Sequence, residues 1–172
     1  FKRYIIGNGL VQFEFTQLEY AVWRYVARMK SVDEWREDMR ARIANKTKKT
    51  IEQIEDIFLQ RKVIIPWEFK NIDDPELCKI YVTRNGFAYG AVKDKWVIAT
   101  QDNKEKFTFP EEDYRIWVGA TGTKLLVDIM EDLVEWYGYS EDEAFEAVVR
   151  KGKDYIRLGL WTAEYLDLGE GE

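Results

Sequence analysis

Two clusters of like charge carry the chemistry that this chain's residue types and spacing suggest. The first is basic. Asn45-Lys46-Thr47-Lys48-Lys49 delivers three lysines to a helix that opens at Thr50, and Arg36 and Arg40 lie one turn apart on the helix before it. A helix N-terminus carries unpaired N–H groups and partial positive charge, so lysines beside it form a clamp for phosphate. Gln53, on the exposed side of the later helix, adds an amide able to meet a base edge. The second cluster is acidic. Asp128, Glu131, Asp132 and Glu135 fall at i, i+3, i+4 and i+7, a single carboxylate stripe along a helix, and Glu141, Asp142, Glu143 and Glu146 add to it. Such a stripe solvates a helix, or it offers a face to a basic partner. The phosphate-mimicking surface of an inhibitor of a nucleic-acid-processing protein is one form of such a face.

The missing residue types narrow the chemistry further. The sequence has no histidine and a single cysteine, Cys78. That removes the commonest general base, the commonest transition-metal ligand and every Ser-His or Cys-His nucleophile pair. Catalysis would fall to carboxylates, Lys, Tyr or a carboxylate-held Mg²⁺. Ile116-Trp117-Val118 followed by Gly119-Ala120-Thr121-Gly122-Thr123-Lys124 has the strand–glycine–helix order of a phosphate loop, but its lysine follows Thr rather than Gly, and no Ser or Thr comes next for Mg²⁺. The expectation is a non-enzyme with no catalytic residue, no metal and no cofactor. A lone cysteine excludes an internal disulfide and fits a reducing, cytoplasmic setting. No apolar run approaches the roughly 18 residues of a membrane span, and Lys2-Arg3 leads into no signal-peptide apolar core. A start at Phe1, without Met, suggests a piece of a longer chain.

The elements that position these clusters are readable from pattern. Phe1–Ile6 and Leu10–Phe15 form a predicted hairpin across Gly7-Asn8-Gly9. Thr16 with Glu19, Ser31 with Glu34 and Thr50 with Gln53 each have capping-box spacing and open three helices. The first places Leu18, Ala21, Val22, Tyr25, Val26 and Met29 on one face and Tyr20, Trp23 and Ala27 beside it, which implies burial on several sides or a dimer contact. The second, about 32–44, buries Val32, Trp35, Met39 and Ile43 and turns Arg36, Arg40 and Arg42 to solvent; the third, about 50–62, buries Ile51, Ile54, Ile57 and Phe58. Asn71–Pro75 is the predicted boundary. Residues 1–72 hold 14 Lys+Arg against 10 Asp+Glu, while residues 73–172 hold 12 against 22, so the halves carry +4 and −10.

Beyond the boundary an antiparallel meander is expected: Lys79–Thr83 and Phe87–Val92 as a hairpin across Arg84-Asn85-Gly86, then Lys95–Thr100 and Lys106–Phe109. Its lysines, with Tyr81, Phe87, Tyr89, Trp96, Phe107 and Phe109, could stack single-stranded nucleic acid. Phe107 and Phe109 alternate, however, which favours a core face. Lys124–Tyr137, 141–151 and a short segment near 153–166 are read as C-terminal helices, with the final Gly-Glu-Gly-Glu frayed.

The order hairpin, three capped helices, strand resembles winged-helix and helix-turn-helix DNA-binding domains over about residues 16–70. The resemblance implies that the second and third helices form the DNA-contacting unit, with the third in the major groove. Glu52, Glu55 and Asp56 on that helix oppose phosphate, which narrows the expectation to a backbone clamp. The fold expected is therefore α+β: an N-terminal trihelical, winged-helix-like module (1–72), then a small antiparallel β-meander and C-terminal helices (73–172). The function expected is a non-enzymatic DNA-binding or regulatory protein. Arg36, Arg40, Lys46, Lys48, Lys49 and Gln53 would face double-stranded DNA, and the acidic half would bind a basic protein or form a homodimer. The alternative is a protein-interaction module or inhibitor acting through Asp128, Glu131, Asp132 and Glu135.

Overall fold

A computed structural model describes residues 3–8, 11–29 and 31–165. Its chain divides into two compact units, one ending at Pro66 and taking in Tyr165, the other spanning Trp67–Glu164. The architecture is α+β.

In the first unit, β1 (Tyr4–Asn8) and β2 (Val11–Phe15) pair antiparallel, with Tyr4 opposite Phe15 and Asn8 opposite Val11. Gly9 of the expected hairpin turn, and Leu10, lie outside the described residues. Three α-helices follow: α1 (Gln17–Trp23), α2 (Val32–Ile43) and α3 (Ile51–Gln60). Thr16 and Thr50 close complete capping boxes with Glu19 and Gln53, and the Ser31 hydroxyl accepts from Glu34 N–H. Each cap satisfies a backbone donor that the helix itself cannot, a contribution of about 1 kcal/mol. The first helix is shorter than its periodicity predicted: it stops at Trp23, and Val26–Arg28 forms a 3-10 turn instead. The core joins Phe15, Val22, Trp35, Met39, Ile43, Ile51, Ile54 and Phe58. Phe15 meets Phe58 edge to face at 5.6 Å, and the Trp35 and Trp23 indoles donate to the Val22 and Val63 carbonyls at 3.3 and 2.8 Å. Val32, expected inside, is 50% exposed at the open first turn of α2.

The second unit holds three helices and two three-stranded sheets, apart from Tyr165 at the end of the last strand. One sheet has the order β7 (Thr121–Leu125), β3 (Ile80–Arg84), β8 (Trp161–Tyr165); the other is the antiparallel meander β4 (Phe87–Val92), β5 (Lys95–Ala99), β6 (Lys106–Pro110). The meander thus has three strands, and the expected β3–β4 hairpin does not form. At Gly86, φ is +97°, and the chain crosses so close to β5 that a Cβ there would sit 2.2 Å from the Ala99 carbonyl oxygen. Arg84 and Asn85 N–H instead bond to the Ala120 and Leu160 carbonyls, and β3 pairs with β7.

Helix α4 (Glu111–Gly119) opens behind Pro110 with Glu111, Glu112 and Asp113 in its first turn, where carboxylates suit the helix dipole. Ile116-Trp117-Val118 is therefore helical and the following residues are strand β7, the reverse of a phosphate loop's order. Helices α5 (Leu126–Tyr137) and α6 (Glu141–Arg157) follow, and Ser140 with Glu143 closes a further capping box. The last segment read as helix is in part the end of α6 and in part strand β8: Gly159 turns the chain at φ +75°, and Trp161 is buried. The terminal Gly-Glu-Gly-Glu lies outside the described residues. Trp117 Nε1 donates to the Leu160 carbonyl at 3.1 Å and Trp161 Nε1 to the Trp117 carbonyl at 3.2 Å, so α4 and the start of β8 are tied reciprocally. Among the described residues no helix is long and apolar enough to cross a membrane.

Candidate contact surfaces

The basic cluster is organised by α2, the turn after it and α3. Asn45 takes a left-handed conformation (φ 64°), and Lys46 N–H closes on the Ile43 carbonyl, which ends α2 and sends the lysines across to Thr50. Most of the expected cations meet carboxylates of their own unit. Arg36 donates from Nε and Nη2 to the two oxygens of Glu55, each at 2.8 Å. Glu55 is only 7% exposed, so Arg36, expected in solvent, is drawn down as its partner. Arg40 reaches Glu52 at 2.5 Å, and Lys49 reaches the buried Glu19 at 2.6 Å. Burial pushes the Glu19 carboxyl up, but hydrogen bonds from Lys49 and from Thr16 N–H outweigh it and hold the group below the usual carboxylate range. Glu52 is likewise held low, by a backbone N–H and by Arg40.

Lys46 and Lys48 are exposed and have no ion-pair partner among the described residues. Gln53 is exposed, but its side-chain oxygen accepts from Thr50 N–H at 2.9 Å, leaving only its NH₂ for a ligand. An open depression of about 350 Å³ runs along this side of α3, lined by Lys49, Gln53, Asp56, Ile57 and Gln60. The cluster is thus a mixed surface, with two free lysines beside a largely neutralised set. Sequence pattern had also left out two stacked cations. Arg42 lies 4.8 Å from the Tyr25 ring centre, and Arg61 lies 5.3 and 4.9 Å from those of Phe13 and Phe15.

The acidic stripe divides in the same way. Asp128 accepts from Leu125 N–H at 2.7 Å and so caps α5, while Asp132 pairs with Lys124. Glu131 and Glu135 stay exposed without an ion-pair partner among the described residues. Beside them stands Trp136, 69% exposed and one turn beyond Asp132. Tyr137 is 46% exposed and carries the Arg115 guanidinium 4.1 Å from its ring centre. Hydropathy alone would place Trp136 in the core. It sits at 140° on the helical wheel counted from Glu131, on the margin between the carboxylates and the apolar side, and the fold leaves it uncovered.

Among the described residues, no group of three or more Cys, Asp or Glu side chains converges as a metal site would. No protein-family model, no curated protein and no solved structure matches this chain.

Proposed function

We propose that this chain is a non-enzymatic binding protein that engages a basic partner protein through the exposed face of α5. The observation that supports this most directly is Trp136, 69% exposed, next to the uncommitted Glu131 and Glu135. A large exposed aromatic flanked by charge is the composition of an interface anchor: the ring supplies buried area on binding, and the carboxylates supply selection for lysine and arginine. The exposed Cys78 fits a reducing, cytoplasmic setting for such a protein.

The test is calorimetric titration with an oligolysine or oligoarginine peptide. Trp136→Ala should weaken binding by about 2 kcal/mol, roughly thirtyfold, and Glu131→Lys with Glu135→Lys should abolish it. Affinity unchanged in all three substitutions combined would sink the reading.

Contact with double-stranded DNA is the second reading, and Lys46 and Lys48 support it as cations of the α2–α3 turn that no carboxylate holds among the described residues. Such a contact would be a small phosphate clamp. Its mark would be binding that weakens between low and moderate salt and is lost in Lys46→Glu with Lys48→Glu; a duplex that fails to shift at low salt would remove it.

A further inference from the structure

The β4–β5–β6 sheet has one face turned inward and one that exposes Phe87, Tyr89, Lys95 and Lys106, with the small Ala99 buried between Phe87 and Lys106. Trp96, Ile98 and Phe109 lie on the inner face, where Trp96 stacks on Tyr114 of α4 at 3.8 Å and Phe109 meets Tyr155 of α6 at 5.3 Å. The register puts Phe87 opposite Ala99 and Ala99 opposite Lys106, in one row across the other face, and Lys95 lies four positions away along β5 on that same side. Tyr89 joins them, with Lys106 Nζ 4.8 Å from its ring centre and its hydroxyl donating to Asn103 Oδ1 at 2.9 Å. Phe87 and Tyr89 are 53% and 57% exposed.

We propose that this face, built by Phe87, Tyr89, Lys95 and Lys106, binds single-stranded nucleic acid. Bases stack on the two rings, and the lysines hold the phosphates between them. Charge selects this occupant. The second unit is rich in acid, yet the three strands, FAYGAV, KWVIA and KFTFP, contain no Asp or Glu and present two lysines. The carboxylates of the adjoining turns are Asp94, Asp102 and Glu105, beyond the strand ends, and Asp102 is held by the Thr100 hydroxyl and Lys104 N–H. A ring with a cation beside it matches a nucleotide, which joins an aromatic base to an anion. An added β-strand is a poorer fit. The register slips between Ala88 and Ala91 with Gly90 at φ +100°, and a bulge at that point bends the edge that a second strand would have to follow.

The experiment is fluorescence anisotropy with labelled oligothymidine and oligouridine of about 12 nucleotides, a length within the range one such platform covers. Both should bind at low salt and weaken as salt rises. Phe87→Ala and Tyr89→Ala should each cost about tenfold or more in affinity. Lys95→Glu with Lys106→Glu should abolish binding, while Lys46→Glu with Lys48→Glu should leave it in place. Because both rings are more than half exposed, circular dichroism should show each alanine variant folded. A matched duplex, whose bases are already stacked, should bind more weakly than the single strand. The proposal is overturned by no binding of either oligonucleotide at low salt, by unchanged affinity in the Phe87→Ala, Tyr89→Ala double variant, or by loss of binding only with the α2–α3 lysines. It is also overturned if the wild type binds no oligonucleotide but sediments as a dimer that Phe87→Ser dissociates, which would assign the face to a second copy.

Discussion

Arg36 and Glu55 meet in a two-point grip: guanidinium Nε and Nη2 each lie 2.8 Å from one oxygen of a carboxylate that is almost wholly buried. Sequence pattern assigned Arg36 to a phosphate clamp. Its geometry instead makes it the counter-charge without which Glu55 would sit buried and unpaired.

Removing Arg36 should therefore hurt the fold more than removing its neighbour. Arg36→Ala strands a buried carboxylate, whereas Arg40→Ala frees Glu52, whose side chain is 55% exposed and returns readily to water. Urea unfolding should place Arg36→Ala clearly below Arg40→Ala, and Arg36→Met with Glu55→Leu should recover much of the loss. Equal midpoints for the two single variants would contradict the grip.

The Glu19–Lys49 contact ties the start of α1 to the turn before α3, and it predicts an acid limb. Because the folded-state pKa of Glu19 is lowered, its contribution is fully present above the unfolded value of about 4.3 and is lost as pH falls through the lower folded value. Thermal midpoints should drop below about pH 4, and Lys49→Ala should make that drop shallower while lowering stability at neutral pH. A limb of the same steepness in both proteins would show that the pair does not set it.

Two tyrosines predict an alkaline limb. Burial, with help from Glu112, raises Tyr139 to about 12, and burial raises Tyr155 further, its hydroxyl donating to the Asp113 carbonyl at 2.7 Å. Raised folded values mean that their stabilisation is complete below the unfolded value of about 10 and fades as pH climbs above it. Melting curves should fall from about pH 10 upward, and Tyr139→Phe should soften the fall, since phenylalanine has no proton to lose. If Tyr139→Phe leaves the alkaline limb unchanged, Tyr139 is not its source.

Gly152 on α6 is required by packing. An added Cβ would lie 2.8 Å from the Trp161 ring and 3.0 Å from the Trp67 ring. Neither indole yields easily, because each donates a hydrogen bond, Trp161 to the Trp117 carbonyl and Trp67 to the Val149 carbonyl. Gly→Ala in a helix gains about 1 kcal/mol of propensity, and overpacking a core costs about 1–3 kcal/mol. Gly152→Ala should come out destabilised by up to about 2 kcal/mol by urea titration. A stabilised variant would mean that the indoles can move.

What the sequence determined by itself is the local layer. The caps of Thr16, Thr50 and Ser140 were legible because a capping box closes within three residues, and both partners are chosen by the same short stretch of chain. The amphipathic α2, α3 and α5, the chain's α+β character and the lopsided charge were legible for the same reason. Tertiary structure alone decided which charges remain free. Arg36, Arg40 and Lys49 find their carboxylates 19, 12 and 30 residues away, separations at which spacing carries no signal. It also decided that β3 pairs with β7 and β8 rather than β4, and that Phe87 and Tyr89 stand outside while Trp96 and Phe109 stand inside. Hydropathy alternates identically for both faces of a strand, and only the helix that packs against one of them makes it the interior.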